Sequence, residues 1–196
     1  MKTKLILILS LFVVKSSLAQ IIGSKQEFVS PNLKTLVANT KTVAILPFKA
    51  NISYKKMPKG VTLENIKEEE RITSSQMQEG MYTYLLRKSS DYSVSFQDIN
   101  RTNALLKKAG VFDNLDEVLA DSICKILGVD AIISTLDFGV AKGVASGGLI
   151  LQLYGAKDGE LAWRFYKEMN ESAFSNAGVL MERMMRKVGR NFPFEK

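Results

Sequence analysis

The chain contains no histidine and a single cysteine, Cys124. Ser-His-Asp and Cys-His nucleophilic sites are therefore absent from its chemistry. His-dependent metal sites and a four-cysteine zinc site fall with them. Carboxylates are what remains for acid–base work or for a hard cation. Asp130 and Asp137 stand at opposite ends of one predicted strand, about 23 Å apart at 3.3 Å per residue, so they cannot pair. Asp130 is placed to cap a turn. Glu68, Glu69 and Glu70 form a charge run on a predicted helix, where such runs face solvent. Asp113, Asp116 and Asp121 gather around a helix N-terminus, where acids suit the macrodipole. No Asp-x-Asp-x-Asp loop with a trailing Glu occurs. Gly139 to Gly148, GVAKGVASGG, lacks the Gly-Lys-Ser/Thr ending of a phosphate-binding loop and runs from strand to strand. The residues point to a protein without catalytic site, metal or cofactor.

Binding chemistry is better represented. Tyr54, Lys55, Lys56, Met57 and Lys59 put an aromatic, a thioether and three lysines into one predicted loop, where binding groups concentrate. They form the first candidate partner-binding loop. Lys142, Gly143, Ser146 and Gly147, in the Gly-rich connection, form the second. The methionines of the last helix and Trp163 read as core, and Cys124 as a small buried hydrophobe.

These residues have to be held by a scaffold. Apolar residues at Leu115, Val118, Leu119, Ile123, Ile126 and Leu127 predict a helix over 115–127 that Gly128 stops. Ala131, Ile132 and Ile133 then open a strand. Before this unit lie a mobile lead at 20–30, a brief helix at 31–39 with Ser30 as cap, a buried strand at 41–48 ended by Pro47, and a loop at 49–61. A long helix at 63–88, a strand at 92–97 and a helix capped by Asp98 or Asn100 follow. After it come strands at 149–154 and 161–168, joined by an Asp158-Gly159 turn, and a helix at 176–189. The expected fold is one α/β domain in the order β-α-β-α-α-β-β-β-α. Its mixed five-stranded sheet has parallel first strands, a C-terminal antiparallel meander and helices packed on it.

The N-terminus reads as an export signal. Lys2 and Lys4 precede the apolar run Leu5–Val14, and Ser17 and Ala19 suit cleavage after Ala19. The run is too short for a bilayer span, which takes about 20 residues. Retention as an anchor is the alternative, because Lys15 lies close to the cleavage point. Position 20 is Gln, so no cysteine follows that point to carry a lipid. The expected divisions are a signal at 1–19, a lead with a short helix at 20–40, and a domain at 41–196. Of the 196 residues, 177 follow the signal, enough for one core without disulfide staples. The formal charge of +7 includes Lys2, Lys4 and Lys15, and no acid precedes residue 20, which leaves +4 afterwards. That modest charge, without aromatics interleaved among the lysines, argues against nucleic acid as a partner.

Three motifs carry a family resemblance: VAILPF at 43–48, LGVDAII at 127–133 and DGELAW at 158–163. Together they resemble the curli-secretion (CsgG-like) family, the amino-terminal domain of TolB and the lipoprotein activators of penicillin-binding proteins. FQDINRTNALLKKAG at 96–110 and NFPF at 191–194 resemble secreted members from the Bacteroidetes-type envelope. The resemblance implies a non-enzymatic periplasmic protein that binds envelope protein partners in assembly or secretion. Gln20 departs from the lipoprotein members. The resemblance also admits a soluble ring-forming subunit, hence a homo-oligomer. A carboxylate-dependent glycan hydrolase, with two acids about 5 to 9.5 Å apart, is the rival of another class. The native protein is expected to start at Gln20 without lipid. Mass spectrometry that finds an intact Met1 or an acylated N-terminus would refute this.

Overall fold

The computed structural model describes residues 25–54, 56–142, 146–169 and 177–196; the expected signal at 1–19 lies outside them. The chain begins with β1 (Lys25–Val29), α1 (Leu33–Asn39), β2 (Thr42–Ile45) and β3 (Ala50–Tyr54). Next come α2 (Leu63–Arg87), β4 (Ser95–Phe96), α3 (Ile99–Lys108) and α4 (Ala120–Leu127). Strands β5 (Ala131–Lys142), β6 (Ser146–Gly155) and β7 (Leu161–Met169), then α5 (Ala177–Val188), complete it. The strands form one mixed seven-stranded sheet in the order β1-β7-β6-β5-β2-β4, with β3 paired to β5 beyond β2.

The expected class is observed: β2 runs parallel to β4 and β5, and β5, β6 and β7 form an antiparallel meander. Two strands exceed the expected five. The expected mobile lead contains β1, paired antiparallel to β7 from Lys25↔Lys167 to Val29↔Trp163. The expected loop at 49–61 contains β3, parallel to β5 from Ala50↔Phe138 to Tyr54↔Lys142. The Gly-rich connection is likewise not a free loop, since β5 extends to Lys142 and β6 restarts at Ser146. The helix expected over 115–127 shortens to α4, and Leu119 stands 75 % exposed ahead of it.

Local chemistry fixes the boundaries. Thr62 caps α2 in a reciprocal box, its hydroxyl accepting the Asn65 N–H while Asn65 Oδ1 accepts the Thr62 N–H. Asp98 caps α3 by accepting the Arg101 N–H at 3.0 Å. Gly128 ends α4 at φ 66°, where a side chain would be strained.

Helices cover the sheet on both faces. On the first, α2 and α5 bury Met77, Met81, Leu85, Met181, Met184 and Met185 against Ile45, Ile133, Leu151, Trp163 and Phe165. The methionines and Trp163 are core, as their spacing predicts. On the second, α3 and α4 bury Leu106, Ile123, Cys124 and Leu127 against Ala44, Leu46 and Ile132. The C-terminal NFPF segment closes the first core: Phe194 is fully buried, and Phe192 meets Trp163 edge-to-face at 6.2 Å.

Helices α2 and α5 touch backbone to backbone. A Cβ on Gly80 would come within 2.6 Å of the Gly178 carbonyl oxygen and 2.7 Å of its Cα. Alanine gains about 1 kcal/mol of helix propensity over glycine, yet here it must push two packed helices apart. Gly80→Ala is therefore expected to destabilise the domain by about 1–3 kcal/mol. Denaturant unfolding with an unchanged or raised midpoint would disprove the contact.

Candidate interaction surfaces

The first candidate loop divides in two. Tyr54 ends β3, packs partly buried against the core, and donates its hydroxyl to Glu69 Oε2 at 2.9 Å. Lys56, Met57 and Lys59 are exposed, Met57 by 48 %, and Lys55 lies outside the described residues. Among the described residues of the motif, the open surface is Lys56, Met57 and Lys59. Of the second candidate set, Lys142 ends β5, Ser146 and Gly147 begin β6 paired to Ala141 and Val140, and Gly143 lies outside the described residues.

Two residues of the glutamate run, Glu69 and Glu70, are structural, contrary to the solvated face their charge suggests, while Glu68 stays on that face. Glu70 Oε1 accepts the Ile52 N–H at 2.9 Å, and Ser74 Oγ accepts the Ala50 N–H at 3.0 Å. These are outward donors of β3. Side chains four residues apart on α2 thus close a sheet edge that would otherwise offer itself to another strand. Glu68 makes a surface pair with Arg71, whose hydrogen bond holds its carboxyl below the ordinary range. The spacing of Glu70 and Ser74 was readable, but only once β3 is recognised as a strand.

Asp130 does more than cap a turn. Its Oδ2 accepts the N–H groups of both Lys41 and Thr42 at 2.9 Å, which fixes the start of β2 against β5. It also borders a cleft of about 520 Å³ between α1 and the β6–β7 turn, together with Asp158 and Glu160. The sequence scatters these acids, and the fold gathers them. Asp158 Oδ1 accepts the Glu160 N–H at 3.0 Å, so two of the three carboxylates already serve the backbone. Among the described residues no group of three or more Cys, Asp or Glu side chains is placed to hold a metal ion. Asp116 pairs with Lys49 at 3.1 Å and Asp121 with Lys125 at 2.8 Å, each lysine's hydrogen bond lowering the carboxyl's pKa. Burial pushes the Cys124 thiol up to about 12, which keeps it protonated and a poor nucleophile.

A further surface was not anticipated. On the second face of the sheet α4 packs on β5 and β6, whereas α1, the helix that meets β7, packs its Leu33, Leu36 and Val37 against the first core. Gln26, Phe28, Ile150, Arg164 and Tyr166 line a concavity of about 400 Å³ on the outer part of that second face. The alternation of Gln26, Phe28, Arg164 and Tyr166 placed them on one face, but pairing β1 with β7 was needed to join them.

No family model matches the sequence. No curated protein matches it either. Among solved structures, the chain is similar to lipoprotein GNA1162 from Neisseria meningitidis, at 11 % identity and TM-score 0.50, over 77 % of this chain and 98 % of that one. It is also similar to the LpoB C-terminal domain from Salmonella enterica, at 10 % identity and TM-score 0.40, over 71 % and 96 % of the two chains. The PelC dodecamer from Paraburkholderia phytofirmans matches at 13 % identity and TM-score 0.40, over 89 % and 100 %. The first likeness is one of fold, and the two lower-scoring ones carry no argument. None of the three speaks for the curli-channel or TolB parts of the resemblance.

Because Tyr54 is packed and bonded, Tyr54→Ala is expected to cost about 1–3 kcal/mol, where a solvated loop residue would cost under about 0.5 kcal/mol. Glu70→Ala leaves the Ile52 N–H without its acceptor and is expected to cost a similar amount. Amide exchange at Ile52 should accelerate in that variant. Unchanged stability together with unchanged protection at Ile52 would show that α2 does not seal the edge.

Proposed function

We propose that this chain is a non-enzymatic accessory protein of the cell envelope, exported without lipid, that works by protein–protein contact in assembly or secretion. The observation that carries the reading is the open, aromatic-lined concavity on the outer sheet face. It is shaped to receive a surface, whereas two of the three acids of the α1 cleft, Asp130 and Asp158, are committed to backbone N–H groups. The export-type N-terminus supports a periplasmic location. The fold shared with a protein described as a lipoprotein supports an envelope setting. No helix among the described residues is long and apolar enough to cross a membrane. The finer kinship, to the curli channel, to TolB or to the activators of penicillin-binding proteins, belongs to this proposal and guides the choice of partners. Lys56, Met57 and Lys59 supply a second exposed contact that tunes encounter more than affinity.

Fractionation and crosslinking of the tagged protein in its own cells test the reading. The expected result is release with the periplasmic fraction and reproducible capture of envelope proteins. Retention in the cytoplasm would overturn it. So would glycan hydrolysis by the purified protein that Asp130→Asn or Asp158→Asn abolishes.

A further inference from the structure

The outer face has a definite chemistry. Strand register sets Phe28 opposite Arg164 and Arg164 opposite Gln152; the next row is Gln26, Tyr166 and Ile150. Phe28 is 48 % exposed on this face. Tyr166 lies against Gly148, where a Cβ would come within 3.2 Å of a ring carbon. The bare glycine lets the ring lie down along the sheet, giving a flat aromatic floor.

Arg164 lies half-buried in this apolar setting and makes no ion pair among the described residues. The neighbouring acid of β1, Glu27, belongs to the opposite face, where its Oε1 accepts the Trp163 Nε1–H at 2.9 Å. Beside Arg164, Gln152 is only 3 % exposed, and its side-chain carbonyl oxygen has no hydrogen-bond partner among the described residues. A guanidinium offers a planar fork that matches a carboxylate, and partial desolvation strengthens that pairing.

The geometry points to this face as the docking site for an acidic, apolar segment of a partner protein. A carboxylate of the segment pairs with Arg164, and its apolar side chains cover Phe28 and Ile150. Charge complementarity selects this occupant. A second copy docked face to face would bring two lining guanidiniums and no lining acid into the seam. A neutral glycan would leave the guanidinium uncompensated and would meet the aliphatic Ile150, where it needs hydrogen-bonding groups. This inference rests on the proposed role in protein contact.

The test uses the secreted form purified from cells and isotope-labelled for NMR. The probes are a short peptide alternating Glu with Phe and Leu, its Gln counterpart, and an N-acetylglucosamine oligomer. The Glu peptide should shift amide signals of Phe28, Ile150, Arg164 and Tyr166, and added salt should weaken it. The Gln peptide and Arg164→Gln should each bind about tenfold more weakly. Arg164→Lys should retain part of the affinity, and Phe28→Ala should lose severalfold, with both variants melting as the parent does. Equal binding of the two peptides would overturn the site. So would binding indifferent to Arg164→Gln, a glycan that binds here in place of the peptide, or self-association that Arg164→Gln abolishes. If envelope proteins are captured in cells but the Glu peptide does not bind here, this site falls and the accessory role stands. If the peptide binds as expected and the protein stays in the cytoplasm, the role falls and the site stands.

Discussion

A twelve-residue strand through the middle of a domain must find partners along its whole length, and β5 is that strand. Buried N–H and C=O groups left unpaired are costly, so each stretch of β5 constrains what lies beside it. On one side it has β6 nearly throughout, with an irregularity between Thr135 and Phe138. On the other side β2 reaches only Ile133, and β3 takes over from Phe138. Pro47, which has no N–H to donate, falls in the interval between the two strands. Leu46 just before it still donates to the Ile133 carbonyl at 2.9 Å. Asp130, one residue ahead of β5, locks the register by accepting two N–H groups from the start of β2.

This division of one edge between two short strands accounts for the placement of α2. Strand β3 pairs with β5 on one side only, and a helix crosses its other side. The helix brings a carboxylate and a hydroxyl at the spacing of one turn, matching outward N–H groups two residues apart on the strand. Tyr54 at the end of β3 reaches back to the same helix through Glu69. The helix is held from behind by α5, through the Gly80–Gly178 approach and the Arg87–Glu182 pair. A surface charge run, a sheet edge and a helix–helix contact are thus parts of one arrangement.

Much of this was legible where a residue's local preference and its tertiary role coincide. VAILPF reads as a buried strand because β2 and Leu46 are covered on both faces. Gly128 and Gly159 read as a helix stop and a turn because both need positive φ, 66° and 68°. The methionine spacing of the last helix reads as core for the same reason. What was missed has little local signal. In ANISY, Ala50 and Ile52 turn inward and Asn51 and Ser53 outward, but the segment is short and sits between Pro47 and Pro58. In KQEFV the acid, Glu27, accepts the indole N–H of Trp163, 136 residues away in sequence, a contact no local pattern announces. Both strands lie at edges, where the pairing partner and not the sequence pattern supplies the stability. The site reading inherits these omissions. Without β3, Tyr54 looks like a loop aromatic. Without β1, Phe28 and Arg164 are not neighbours.

The open outer face follows from the order of the elements. Helices α3 and α4 lie between β4 and β5, and they cover β2, β5 and the near part of β6. Three residues separate β5 from β6 and five separate β6 from β7, too few for a helix, so that half of the sheet brings none with it. The helix that follows, α5, is drawn to the first face by its methionine row and by α2. An antiparallel sheet half left uncovered in this way is expected to alternate toward polar residues on its wet side. Here that side carries Phe28, Ile150 and Tyr166 beside Gln26, with Arg164 as the charge lining the concavity. Among the described residues no helix covers this outer part of the face, and its composition is that of a surface suited to having a cover. An apolar floor around a guanidinium that makes no ion pair among the described residues is more selective than an apolar floor alone, because a partner without an acid would bury that charge uncompensated.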